Sequence, residues 1–205
     1  MKMPAKTGGD FIPPPAGTHI AVCYRVIDLG TQKIEWQGKT KFQRKILLSW
    51  ELPDEKMEDG QPFTIHRRYT LSSDEKATLR HHLEAWRGLA FTEVDFGLDG
   101  FEIKDVLGKA CLLGVVHQIK DNNTYANIAS IMRLPKGTQA PKPINELVYF
   151  GLDTFDPVVF NALSDGLRKV IMLSPEYHEA IKGKEPPADD RDEAPTDDLD
   201  DSAPF

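Results

Sequence analysis

Cysteine is almost missing from this chain: two residues in 205, Cys23 and Cys111, far apart and each inside an apolar run. That excludes a disulfide framework. The pair reads as small buried hydrophobes in a reducing compartment such as the cytoplasm. The six histidines stand at no metal-ligand spacing with them, so neither a metal nor another cofactor is expected. No stretch approaches the roughly 18 consecutive apolar residues of a membrane span. The opening residues, MKMPAKTGGDFIPPPAGTH, lack the apolar segment of a secretory signal. A P-loop, a G-x-S-x-G elbow, a paired metal-binding carboxylate motif and a Cys/His arrangement are absent as well, so the chain does not read as an enzyme. Asp95, Asp99 and Asp105 offer ligands for a metal-dependent nuclease, but scattered surface acids are the commoner case.

Net charge is also scarce, except at one end. Residues 185–205, EPPADDRDEAPTDDLDDSAPF, set nine carboxylates against one arginine and so carry −8 of a chain whose total is −7, leaving the rest at +1. With four prolines and only Leu199 and Phe205 as large apolar residues, this stretch cannot bury enough surface to offset its ordering entropy. Residues 184–205 are expected to be a disordered acidic tail.

The tail ends Asp200-Asp201-Ser202-Ala203-Pro204-Phe205. This ending resembles the tip of bacterial and bacteriophage single-stranded DNA-binding proteins, an acidic run closed by Pro-Phe. Ser202 and Ala203 stand where that family commonly has another Asp and a larger aliphatic. The resemblance implies that Asp200, Asp201, Pro204 and Phe205 are a handle for replication and recombination enzymes. The chemistry suits a handle: a ring for a pocket, a terminal carboxylate for a cation beside it, and a proline that lowers the entropy of docking. It also implies a body that holds single strands.

The remaining chain is long enough for one domain with a small appendage. Residues 1–18, with Gly8-Gly9 and three consecutive prolines, read as a flexible arm. Residues 19–29, HIAVCYRVIDL, read as a strand ended by Gly30, with Ile20, Val22, Tyr24 and Val26 on one face. A loop over residues 30–39 follows, with Trp36 near its middle. Residues 40–52 form a second strand in which Phe42, Ile46, Leu48 and Trp50 share a parity that predicts core. Residues 62–71 form a third. Ser72 with Glu75 predicts a capping box for a helix carrying Leu79, Leu83 and Trp86 and closed by Gly88. Residues 109–119 and 124–134 predict a hairpin, and residues 155–181 two short helices begun by Ser164 and Ser174.

Three strands, a helix and a two-strand hairpin follow the order of a five-stranded oligonucleotide-binding (OB) barrel, with the helix between strands three and four. Another small α+β or all-β domain would share that order. The resemblance favours the OB-fold over residues 19–150, with a small helical appendage over 151–183.

Sequence-tolerant single-strand binding needs cations along the phosphates and aromatic faces for unpaired bases. Lys33, Lys39, Lys41, Arg44 and Lys45 stand against Glu35 alone, with Trp36 and Phe42 interleaved. His66, Arg67, Arg68 and Tyr69 follow on the third strand. Trp36, among polar neighbours, reads as a stacking platform; Tyr69 is ambivalent, since its parity also matches the core. The expected ligand is single-stranded DNA. RNA or a protein is the alternative for the same module.

Overall fold

A computed structural model describes residues 12–97, 100–121 and 123–182, apart from the side chain of Trp36. Five long or medium strands and one short one build a single sheet: β1 Gly17–Trp36, β2 Lys39–Lys56, β3 Pro62–Thr70, β4 Ala110–Lys120, β5 Asn123–Met132 and β6 Val148–Phe150. The order is β3-β2-β1-β4-β5, all antiparallel, with β6 added parallel to β1 over Arg25–Ile27. The fold is mainly β with a few helices, and the sheet is not closed into a barrel: β3 and β5 are edges with no ladder between them.

The main core lies on one sheet face. Ile46, Leu48, Trp50 and Leu52 alternate along β2 into it and meet Ile65 and Tyr69 of β3, Leu113 and Val115 of β4, and Ile128 and Ile131 of β5. Helix α1, Thr78–Arg87, closes this face with Leu79, Leu83 and Trp86, one apolar stripe at helical spacing. The ring centroids of Trp86 and Trp50 lie 5.9 Å apart. Gly88 ends α1 in the left-handed region, as its place in the sequence suggests. The expected capping box does not form. The helix starts at Thr78, while Ser72 and Asp74 instead turn the chain before it, each accepting a backbone N–H two residues on.

Four strand expectations are corrected. Gly30 does not end β1: at φ +68° it forms a bulge between Asp28 and the rest of the strand, and the strand continues to Trp36. A side chain there would put a Cβ 2.4 Å from Ser174, so glycine is what lets the C-terminal helices close on β1. A second bulge, at Tyr24, switches parity, so Ala21, Cys23 and Val26 reach the main core rather than Ile20, Val22, Tyr24 and Val26 together. The loop expected over residues 30–39 shrinks to Gln37-Gly38, both at positive φ, the two-residue turn that matches the twist of a hairpin. Phe42, expected in the core, is 69 % exposed, because the β1–β2 ribbon runs on past the core that its parity points to.

The opposite face of β1 and β2 is covered too. Ile27, Leu29 and Leu47 pack with Phe150 under α2 Pro157–Ala162 and α3 Asp165–Met172, through Phe160, Leu163, Leu167 and Ile171, with Tyr177 of α4 Pro175–Ile181 against them. The unbroken apolar stretch of β2 therefore serves two cores. Three short helices stand where two were expected. Ser174 caps α4 by accepting from Tyr177 N, and Asp156 caps α2. Cys23 and Cys111 are buried free thiols, and burial pushes the Cys23 thiol up to about 12. No described helix is long and apolar enough to cross a membrane. The N-terminal arm enters along the sheet, with the carbonyls of Pro14 and Pro15 bonded to the rings of His117 and His19.

Candidate nucleic-acid interface

Residues directly opposite in an antiparallel ladder project to the same face, so register sorts the cations. Along β2, Lys39, Lys41, Gln43 and Lys45 alternate onto one face. Lys45 pairs with Thr70, Leu47 with Arg68 and Ser49 with His66, which places Arg68 and His66 on that face as well. Five of the expected residues, Lys39, Lys41, Lys45, His66 and Arg68, thus form one row. Beside it a cleft of about 510 Å³ is lined by Gln43, Lys45, Arg67, Arg68, Thr70 and Lys76 among others, and is mostly polar.

Within the row, Lys45 Nζ donates to Gln43 Oε1 at 2.8 Å and Thr70 Oγ1 at 2.6 Å, and its pKa is lowered by burial. The His66 imidazole is also held below its ordinary value, first by crowding and then by the charges of Arg68 and Arg25. Lys39, Lys41 and Arg68 are exposed.

The other expected residues lie on the reverse face or in the core. Lys33 pairs with exposed Glu35 at 2.7 Å, a contact worth little in water. Arg44 donates to Asp28 at 2.5 Å and Asp153 at 2.9 Å, tying β2 to β1 and to the segment after β6, and its pKa is raised by these partners. Arg67 Nη1 donates to the Ile128 carbonyl at 2.7 Å, and its guanidinium lies 5.3 Å from the Tyr69 ring. Tyr69 is 3 % exposed and its hydroxyl lies 2.9 Å from His82 Nδ1. Of the two readings its parity leaves open, the structure gives the core one: the ring belongs to the main core. Burial raises the phenol and, with the Arg67 charge, depresses His82 to about 4.

The backbone of Trp36 pairs with Lys39 at the end of β1, and its side chain lies outside the described residues. Two aromatics are exposed on the projecting ribbons: Phe42 on the reverse face of β2, and Tyr125, 50 % exposed, on β5. Asp200, Asp201, Pro204 and Phe205 lie outside the described residues.

Sequence reasoning passed over Arg25. It pairs with Ser49 and so joins His66 on the cationic face. The bulge at Tyr24 hides it, since simple alternation gives no sign of where a strand changes parity. Of the acids considered for a nuclease, Asp95 accepts from Thr92 and from Arg87 at 3.0 Å, which lowers its pKa, and Asp105 accepts from the Glu102 amide. Asp99 lies outside the described residues. A mainly apolar cleft of about 560 Å³ lies elsewhere, between α1 and residues 133–140.

No family model matches the chain, and no curated protein matches it.

Proposed function

We propose that the chain binds and protects single-stranded DNA without sequence preference and without catalysis, during replication or recombination, and that its acidic C-terminal tip recruits partner enzymes. The observation that carries this reading is the shared face of Lys39, Lys41, Lys45, His66 and Arg68 across β2 and β3. Cations at alternate positions of an extended strand lie about 6.6 Å apart, a spacing that suits successive phosphates of an extended single strand.

The strand order supports an open OB-type fold. In such folds the second and third strands and the loops joining strands one to two and four to five take the oligonucleotide. Here those loops are the ends of the β1–β2 and β4–β5 ribbons, with Tyr125 exposed on the second. Base stacking on such rings contributes about 1–3 kcal/mol per base. Trp36 at the end of the β1–β2 ribbon is the second platform of the proposal.

The local balance matters more than the net charge. At physiological salt the Debye length is about 8 Å, so acids on other faces are largely screened from a strand lying along the row. The tail's role rests on its sequence: an Asp run to speed encounter with a basic partner and a terminal Pro-Phe to dock.

Titration of a thymidine oligomer into the full chain, followed by tryptophan fluorescence, tests the reading. Wild type quenches and binds, Trp36→Ala loses most of the quenching, Tyr125→Ala binds more weakly, and Phe42→Ala, on the reverse face, binds like wild type. A uridine oligomer that binds more tightly than thymidine would transfer the proposal to RNA. No binding of either strand in dilute salt would end it.

A further inference from the structure

Arg25 of β1, Ser49 of β2 and His66 of β3 stand in line across three strands, and Arg68 follows two residues along β3 on the same face. Ser49, only 3 % exposed, is a small floor between long cationic side chains. Neither arginine nor His66 forms an ion pair with a carboxylate among the described residues. The Nε of Arg25 is buried and donates to no acceptor among the described residues, while the guanidinium lies 5.4 Å from the Tyr24 ring. Glu51, two residues from Ser49 along β2, is spent elsewhere: its carboxylate accepts from the Ile144 amide at 2.6 Å and from the amide and side chain of Asn145.

Like charges gathered over a small residue, with a buried N–H unanswered, are costly unless an anion joins them. We propose that Arg25, His66 and Arg68 form a seat for one phosphate group of the bound strand, at the inner end of the cationic row. The proposal rests on the nucleic-acid reading and adds to it a located phosphate and a residue outside the row itself. Arginine suits the task, since its planar fork can give two parallel N–H bonds to one phosphate.

His66 reports occupancy. In the free protein its neighbours are Arg25 from β1, Arg68 from its own strand, and Ser49 and the committed Glu51 from β2. Both arginines oppose its protonation. A phosphate between them reverses that balance, so the imidazole takes up a proton as the strand binds, and affinity rises as pH falls.

The test uses the full chain and a thymidine oligomer. The His66 ring signal, assigned by its loss in His66→Gln, should titrate at higher pH in the complex. Calorimetry near pH 6 in two buffers of different ionisation heat should show proton uptake in wild type and less in His66→Gln. Arg25→Gln should bind about five- to tenfold more weakly, with a salt slope smaller by about 0.7, and Arg25→Lys should fall between. Lys39→Gln, outside the seat, should weaken binding yet keep the proton uptake. Thermal melts check that each variant folds. If wild type binds the oligomer while His66 titrates unchanged and Arg25→Gln binds like wild type, the seat is wrong and the wider reading stands. If inorganic phosphate moves His66 as far as the oligomer does at equal concentration, the site takes free anions and the strand assignment fails. If wild type binds no strand, both fall.

Discussion

Arg67 Nη1 donates to the carbonyl of Ile128 at 2.7 Å and so bridges the two sheet edges, β3 and β5. A backbone acceptor at an unpaired edge would otherwise need water, and the guanidinium supplies the donor while resting against Tyr69. A cationic side chain thus substitutes for a missing ladder.

Arg67→Ala should therefore cost stability more than affinity. Hydrogen bonds to charged groups contribute about 1.5–3 kcal/mol, so urea unfolding should show a loss of about 2 kcal/mol. Amide exchange should speed up first at the β3 and β5 edges. A variant as stable as wild type but deficient in strand binding would reverse this assignment.

The Tyr69–His82 contact gives the fold a pH dependence of definite sign. His82 is depressed to about 4, so between that value and its ordinary 6.5 the unfolded chain binds the proton and the folded chain does not. The contribution is full above about 6.5 and is lost as pH falls toward 4. Denaturant midpoints measured across this window should decline less steeply in His82→Gln than in wild type. Parallel curves would show that His82 is not the titrating group.

Gly30 carries a similar structural burden. Alanine there meets both the left-handed backbone and a Cβ contact of 2.4 Å with Ser174. Strain of this kind costs about 1–3 kcal/mol, and the structure would relieve it by releasing α4 from β1. Gly30→Ala should lower the melting temperature and expose residues 174–181 to proteolysis. A Gly30→Ala protein with wild-type melting and protease resistance would rule out close packing at this bulge.

Much of this architecture can be read from residues alone. Leu79, Leu83 and Trp86 announce α1 by spacing, and the hairpin of β4 and β5 is announced by two apolar runs around residues 121–123. The errors share a cause. Alternation tells which residues share a face, not where the covering layer stops, so Phe42 looks like core although nothing covers it. Nor does it register a bulge, which is how Gly30 reads as a strand end and Arg25 goes unseen. The six-residue α2 and three-residue β6 are too short to leave a period. In the candidate site, the cluster of cations is legible, but its division into a row on one face (Lys39, Lys41, Lys45, His66, Arg68) and structural ties (Arg44 and Arg67) depends on partners far along the chain, Asp153 and Ile128.

Two like-charged neighbours on β2 should accordingly behave differently. Arg44→Gln removes contacts to Asp28 and Asp153 and should shift the thermal midpoint down by a few degrees, whereas Lys41→Gln, at an exposed position, should leave it unchanged. Melting curves of the two variants side by side decide this, and equal midpoints would remove the distinction.

The most direct measurement is the affinity of a thymidine oligomer at two salt concentrations for wild type, for Lys39→Gln/Lys41→Gln/Arg68→Gln, and for a reverse-face control, Lys33→Gln. The proposal requires the triple variant to lose affinity, with its salt slope reduced by about 0.7 for each phosphate contact removed, while the control keeps both affinity and slope. Equal binding by all three proteins, or a loss confined to the reverse face, would contradict it.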